Sequence, residues 1–504
     1  MAQGEARAEA VKLIDYLAPA MGYRLKLSED SSSVVDSIHL RLEPSSRDRL
    51  GQEGYELEVK QRSILVVAAE PAGLFYGIQT LRQLLPPAIF SPRKVDGVDW
   101  AVPCVRIVDR PRFKWRGLLI DPARHFVPVG DVEKFIDIMA VHKLNRLQIH
   151  LTDNEGWRIV IKRYPKLTEL GSKMDWTFRR KGGSGPRCSG FYTQEQIRRI
   201  VRYAADRHIT IVPEIEMPFH TAAAIVAYPE LGINTAHLAE LPPEQRWGRT
   251  KGLIAPRPKT VDFLQNVLAE VIELFPGKYI HIGGDEADTR HWARDLEMQA
   301  QMKRLKLKDA HGLHSWFIKQ MDTFLAKNGR RLVGWDEILQ GGLAPGATVM
   351  SWRGTSGGIA AAKAGHDVVM APTSHTYFDY RQAPDEIGFG RSVINLQKAY
   401  AFEPIPRELN AEQAEHILGG QGQLWGEFIA DERRREFMAF PRACALSEVL
   451  WSPKNDRDFA EFLRRLVEHL KRLNFAGVNY RPLDRSLIQT SGTKPGNGLS
   501  PGRK

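Results

Sequence analysis

The sequence predicts an α/β protein, a TIM (β/α)8 barrel catalytic domain preceded by a small α+β domain. Three observations carry this. Eight short apolar, β-rich runs recur after Trp115, helical stretches separate them, and each run ends in acids, histidine, arginine or tryptophan. Alternating βα units give a parallel sheet, eight of them close a barrel, and polar strand ends belong to a shared active-site mouth.

Residues 1–100 carry the alternating segments YRLKLS, SIHLRLE, YELEV and ILVVAAE, each expected as a strand. AGLFYGIQTLRQLLP follows with helical apolar spacing and a proline stop near Pro86. FSPRKVDGVDWAVPC, rich in turn formers, reads as a connector. The barrel is expected over residues 110–480. Its runs are RGLLID, LNRLQIHLTD, ITIVPEIEM, YIHIGGDE, RLVGWDEI, TVMSWRG, DVVMAPTSHTYFD and GGQGQLWGE. Helical candidates between them include DVEKFIDIMAVHK, TQEQIRRIVRYAADR, TVDFLQNVLAEVIELF and HSWFIKQMDTFLAKN. Residues 481–504, ending TSGTKPGNGLSPGRK, have the composition of a disordered tail.

Composition narrows the function. Among 504 residues, 71 Lys and Arg against 60 Asp and Glu give a net charge of +11. The basic residues are scattered rather than striped, which argues for a solvated basic surface and against nucleic-acid binding. Cys104, Cys188 and Cys444 lie far apart and in no metal-ligand spacing, and no cofactor or metal is expected. No apolar run reaches the length of a membrane span, so no membrane partner is expected either. The N-terminus lacks a secretory pattern; the protein is periplasmic or secreted if a signal has been removed, and cytoplasmic otherwise.

The stretch HIGGDE, residues 281–286, concentrates the chemistry. An isolated Asp-Glu pair is ordinarily a solvated surface feature. Here the pair follows an apolar strand and two glycines that permit close approach of backbone or ligand. Consecutive strand residues face opposite sides, so Asp285 and Glu286 can flank one substrate. One acid would protonate a leaving oxygen while its neighbour steadies a positive charge on the substrate. Trp335 in GWDE, Trp352 in SWRG and Trp425 in LWGE fall at three strand ends. Any one of them alone reads as core. Together, each beside a charged residue, they read as aromatic walls for the apolar faces of a sugar.

In order along the chain, WRGLLIDPARHF, NRLQIHLTDNEGWRI, VPEIEMPFHTAAAIVAYPEL, HIGGDE, GWDEIL, SWRG, TYFD and LWGE resemble glycoside hydrolase family 20, the β-N-acetylhexosaminidases. The likeness runs from about Trp115 to Trp451, and the N-terminal segment is similar to the small domain that precedes the barrel in this family. The resemblance implies exo-acting, retaining hydrolysis of terminal β-linked GlcNAc or GalNAc from oligosaccharides or glycoconjugates. Catalysis is then substrate-assisted: the 2-acetamido group attacks its own anomeric carbon to give an oxazolinium intermediate, an exception to the two-carboxylate scheme.

By matching position, Glu286 would be general acid and then base, and Asp285 would orient and stabilise the acetamido nitrogen. Tyr377 would hold its carbonyl oxygen. Trp335, Trp352 and Trp425 would wall the sugar, and Arg116, Asp379 and Glu427 would bind its hydroxyls. Asp153 and His220 resemble a pair supporting the general acid; a purely structural hydrogen bond is the equal alternative. The partner implied is a small glycan ending in N-acetylhexosamine, and oligomeric state is left open. Lone histidines such as His125, His150 and His281 read as fixing strand ends.

The chain departs from the family pattern at Glu216, Phe219, Asn154 and Glu155, none read as a core catalytic position. Phe219 is expected to narrow the mouth or meet a second sugar. The loop RRKGGSGPRCSG, residues 179–190, is expected to shape the aglycone side. A disaccharide-releasing (lacto-N-biosidase-like) or transglycosylating member is the alternative within catalysis. A carbohydrate-binding protein without activity is disfavoured, since a lectin has no need of the acid.

Overall fold

The computed structural model describes residues 2–28, 35–174, 189–484 and 487, which group into two compact units. The first comprises the described residues of 1–112 and 436–504 together with 141–143; the second holds 113–140 and 144–435.

The first unit opens with a helix, Ala2–Met21, built on good helix formers, Ala, Glu, Lys and Leu, over most of its length. Its sheet contains β1 (Ser37–Leu42), β2 (Tyr55–Lys60), β3 (Ser63–Ala68) and β4 (Val105–Asp109) in the order β1-β3-β2-β4. β1 runs parallel to β3, and β2 is antiparallel to both of its neighbours. Helix Pro71–Leu84 follows β3 as the apolar spacing predicts. YRLKLS, expected as a strand, forms none. The preceding helix is followed by Gly22 at φ +76°, and the sheet edge goes instead to β1.

The sheet takes its last strand, β4, from beyond residue 100. The unit also takes in helices Arg442–Trp451 and Phe459–Phe475 from the stretch read as barrel. Long-range bonds explain the grouping. Trp451 Nε1 donates to Asp109 Oδ1 at 2.9 Å, Arg112 N donates to the Trp451 carbonyl at 2.8 Å, and Arg472 donates to the Gln83 carbonyl at 2.6 Å.

The second unit is the expected closed barrel. Its strands are β5 (Trp115–Ile120), β6 (Arg146–His150), β7 (Thr210–Met217), β8 (Tyr279–Gly283), β9 (Arg331–Trp335), β10 (Thr348–Ser351), β11 (Val368–Met370) and, after a two-stranded ribbon of β12 (Tyr380–Arg381) and β13 (Phe389–Val393), β14 (Ile417–Leu424). All eight barrel pairings are parallel, and β14 closes on β5.

Strand burial follows from helices outside and packed side chains inside. The apolar interior includes Leu119, Val212, Val333, Trp335, Met350 and Val369. A hydrogen-bonded polar chain threads it. Trp115 donates to Gln421, Gln421 to Gln148, and Gln148 to Glu214, at 3.0, 2.7 and 2.8 Å. Buried polar groups persist inside a barrel only when bonded in this way. Three of the helices span Val129–Val141, Gln194–Ala205 and Pro258–Leu274, and the second opens with a Thr193/Gln196 capping box.

Candidate active site

The site grows from the end of β8. Gly283 and Gly284 sit at φ +69° and +93°, and Glu286 itself at +51°. A Cβ on Gly283 would lie 1.8 Å from the Glu216 carboxylate. Glycine is therefore demanded twice, by backbone conformation and by the approach of Glu216. Asp285 and Glu286 lie beyond the strand, so the turn and not strand alternation separates the two acids. The Asp285 side chain is 15% exposed and the Glu286 side chain 53%.

His220, in the left-handed region at φ +54°, joins them. Its Nε2 lies 3.1 Å from Glu286 Oε2 and 3.7 Å from Asp285 Oδ2, and its Nδ1 lies 3.3 Å from Asp153 Oδ1. Burial disfavours the imidazolium, but Asp153 and Glu286 outweigh it and hold the ring well above its ordinary pKa. The hydrogen bond from His220 in turn draws Glu286 below its ordinary value. Asp153 is kept ionised against burial by Arg124, His220 and His150. Behind it, His150 Nε2 meets Asp153 Oδ2 at 2.7 Å and its Nδ1 meets Glu214 Oε2 at 2.5 Å. Burial opposes the charge on His150, yet these two carboxylates raise it to about 10. His150 thus anchors the site, and His281 lies 3.1 Å from the same Glu214.

Asp285 has a second partner that sequence reasoning set aside. Glu216, 2% exposed, is hydrogen-bonded to it, and burial together with the charges of Asp285 and Glu214 holds Glu216 well above the usual carboxyl range. Glu216 is the proton-bearing member, donating to an Asp285 carboxylate. Glu216, not read from the sequence as a core catalytic position, is thus a direct partner of Asp285. Glu214 and Glu216, two apart on β7, both face the barrel interior, a period-2 signal present in the sequence. Glu337 also contributes: burial and the nearby Asp285 push it up to about 7, and it accepts from Trp352 Nε1 at 2.9 Å.

The three tryptophans lie close together but differ in exposure. Trp335 is buried, 1% exposed, and donates to Glu214 at 2.9 Å, so it is a floor; Trp352 and Trp425 are partly exposed. Trp335 and Trp425 have ring centroids 5.7 Å apart, and Trp352 stacks on Tyr377 at 6.2 Å. Tyr377 is buried, which raises its phenol well above the ordinary pKa, and its oxygen accepts from Trp425. Its own proton is therefore available to a ligand. Asp379, buried two residues on, adds a negative charge that also opposes Tyr377 ionisation.

Arg116 is not at the mouth. It is the second residue of β5, fully buried at the strand's N-terminal end, with Nη1 donating to the Phe113 carbonyl at 2.8 Å. The mouth arginine is Arg124, beyond the strand's C-terminal end. It reaches Asp153 at 2.7 Å, Asp121 at 3.0 Å, Glu155 at 3.1 Å and Glu427 at 3.9 Å, and its guanidinium lies 5.3 Å from the Trp425 ring. The signal that could have found it is its place after the strand-ending Asp121, where barrel function concentrates.

Glu427 Oε2 is buried and accepts no hydrogen bond among the described residues, whereas Asp285 Oδ1 and Glu216 Oε1 are the buried oxygens of a pair that the Glu216 proton serves. Buried acceptors without donors are costly unless a ligand supplies them. Phe219 packs at 4.6 Å on the His220 ring and against the Ile233, Leu253 and Trp292 cluster, and Asn154 bonds His220 and the Ala222 amide. These departures brace His220. The loop expected to shape the aglycone side lies, but for residues 189 and 190, outside the described residues, as does most of the expected tail.

Acids and tryptophans at the C-terminal mouth of a parallel barrel are an arrangement that suits the class of glycoside hydrolases. The family model described as glycosyl hydrolase family 20, catalytic domain, matches residues 113–454, and that of family 20, domain 2, matches residues 1–110. The chain belongs to glycosyl hydrolase family 20. It is 45% identical over 436 residues to a β-hexosaminidase of Porphyromonas gingivalis, covering 86% of this chain and 55% of that one, so it spans about half that relative's length. A β-hexosaminidase of Akkermansia muciniphila is 35% identical, covering 84% of this chain and 85% of its own. A Streptomyces plicatus β-hexosaminidase variant in complex with its product GlcNAc superposes with a TM-score of 0.80 at 33% identity, covering 94% of this chain and 90% of that one.

Proposed function

We propose that the chain is an exo-acting, retaining β-N-acetylhexosaminidase that removes terminal β-linked GlcNAc or GalNAc by substrate-assisted catalysis. The observation that carries this is the Asp285 carboxylate held near Tyr377, whose phenol is kept protonated by burial and by the charges of Asp379 and Asp285. An acetamido group offers both partners: its N–H donates to Asp285 and its carbonyl oxygen accepts from Tyr377. That clamp aims the carbonyl oxygen at the anomeric carbon.

In the first step the acetamido oxygen bonds to the anomeric carbon as the glycosidic bond breaks, and Glu286 gives its proton to the departing oxygen. The positive charge that develops on the acetamido nitrogen lies against Asp285, a preorganised anion. In the second step Glu286, now a carboxylate, takes a proton from water, which opens the oxazolinium ring at the anomeric carbon and leaves the configuration retained. Two inversions at one carbon need no enzyme nucleophile.

Glu286 must enter this cycle protonated, yet beside His220 it is ionised in the open site. The pair nevertheless holds one shared proton on His220. A sugar and aglycone that cover Glu286 remove water from it, raise its pKa and draw that proton across the 3.1 Å contact. Glu427 and Arg124 meet the sugar hydroxyls, and Trp352 and Trp425 its apolar faces.

The test is release of 4-nitrophenol from β-glycosides of GlcNAc, GalNAc and glucose, with a thiazoline analogue of the cyclised sugar as inhibitor. Release from the acetamido sugars alone, with tight inhibition by the thiazoline, is expected. Equal turnover of the glucoside would overturn substrate assistance.

A further inference from the structure

A second cluster of chemically capable side chains lies in the first unit. His142 follows directly after Val141, Cys444 lies in helix Arg442–Trp451, and His469 in helix Phe459–Phe475. His142 Nε2 is 2.9 Å from His469 Nε2 and 3.3 Å from Cys444 Sγ, and the three ligand atoms all fall within 4.8 Å of one another. None of the three takes part in the network around Asp285 and Glu286.

A ring nitrogen carries either one proton or one lone pair. His142 Nε2 therefore cannot make two full-strength linear bonds, one to each neighbour. A cation at the centre removes the conflict, since each atom then directs a lone pair at the same point. For zinc, bonds of about 2.0–2.1 Å to nitrogen and about 2.3 Å to sulfur at tetrahedral angles put ligand atoms roughly 3.3–3.6 Å apart. The two separations from His142 Nε2 are short of this by a few tenths of an ångström, within reach of small ring and side-chain rotations. Two imidazoles and a thiol are the donor set of a borderline-soft divalent ion and not of calcium or magnesium, which take oxygen.

The surroundings fit. The Phe440 ring stacks on His142 with centroids 5.1 Å apart and fixes its plane. Cys444 is 7% exposed, whereas both histidines are partly exposed, which leaves the ion a route of entry.

We propose that His142, Cys444 and His469 form a zinc-class metal site, with two Nε2 atoms and one thiolate as ligands and water in the fourth position. On binding, the sulfur–hydrogen bond of Cys444 is exchanged for a sulfur–metal bond and the proton leaves to solvent, so affinity rises with pH. The ion would tie the segment that follows helix Val129–Val141 to helices Arg442–Trp451 and Phe459–Phe475.

Cobalt(II) is the probe. The whole chain, freed of any affinity tag and stripped with a chelator, is titrated with Co2+ alone. One equivalent should produce a thiolate-to-cobalt charge-transfer band in the near ultraviolet and tetrahedral visible bands, and Zn2+ should displace both. Cys444→Ser should remove the ultraviolet band and His469→Gln should weaken binding at least tenfold, the lower end of what disturbing a metal site costs. Absence of the band in the wild type, or its survival in Cys444→Ser, would overturn the proposal. Because Cys444 is buried and a variant could fold poorly, alkylation of the wild-type thiol, mapped by mass spectrometry, is the second readout. Zn2+ should protect Cys444, and equal labelling with and without the metal counts against the site.

Discussion

At the scale of single residues, the shared proton between His220 and Glu286 makes a pH prediction with a definite sign. In the unliganded site the proton resides on His220, whose pKa is held well above 6.5 by Asp153 and Glu286 against the effect of burial. Activity that needs this proton persists until His220 loses it, so the alkaline limb of kcat/KM lies well above 6.5. In His220→Gln the proton must sit on Glu286, now without the partner that depressed it. The alkaline limb should then move towards the ordinary carboxyl range, about 4.3. A profile measured on a 4-nitrophenyl glycoside decides this, and an unmoved limb would mean that His220 does not hold the catalytic proton. Residue identity and spacing single out Asp285, Glu286 and the three tryptophans, and the family resemblance adds Tyr377. They were not enough for arginine. Arg116 and Arg124 lie eight positions apart in one motif, at opposite ends of the same strand, and only the fold tells bottom from mouth.

At the scale of elements, the turn after β8 and the end of β7 are built against each other. The carboxylate of Glu216 occupies the space that any side chain at residue 283 would need. Gly283→Ala combines a left-handed backbone with a collision, so it should lower the melting temperature and push Glu216 away from Asp285. A displacement of about 1 Å at a positioning group costs on the order of a hundredfold in rate. A loss of tenfold or more in kcat/KM is expected, and full activity with unchanged stability would show that the Glu216 contact positions nothing. A second element-scale device is Arg158, buried, which donates to the carbonyls of Pro122, Ala123, Ser172 and Gly190 at 2.7–3.0 Å. Those bonds fix the loop that carries Arg124.

At the scale of the whole molecule, the buried charges beneath the mouth tie stability to pH. His150 titrates near 10 when folded and near 6.5 when unfolded, so its contribution is complete below about 6.5 and drains away as pH climbs towards 10. Glu214, depressed when folded, contributes above about 4.5 and less as pH falls below it. Melting temperature should peak between these limits and fall on the alkaline side. In His150→Asn the alkaline slope should flatten, as scanning calorimetry across pH 5–10 would record; an unchanged slope would place the alkaline loss elsewhere. The sequence by itself determined the eight βα repeats and the adjacent acids at a strand end. Period, turn chemistry and apolar patterning are local, and a barrel follows from their repetition. Tertiary structure alone decided that helices Arg442–Trp451 and Phe459–Phe475 group with the N-terminal sheet, that YRLKLS is left out of it, that Arg124 and not Arg116 reaches the mouth, and that Glu216 holds Asp285. Those outcomes depend on which surfaces meet, and a carboxyl's pKa depends on charges distant in sequence but a few ångströms away in space.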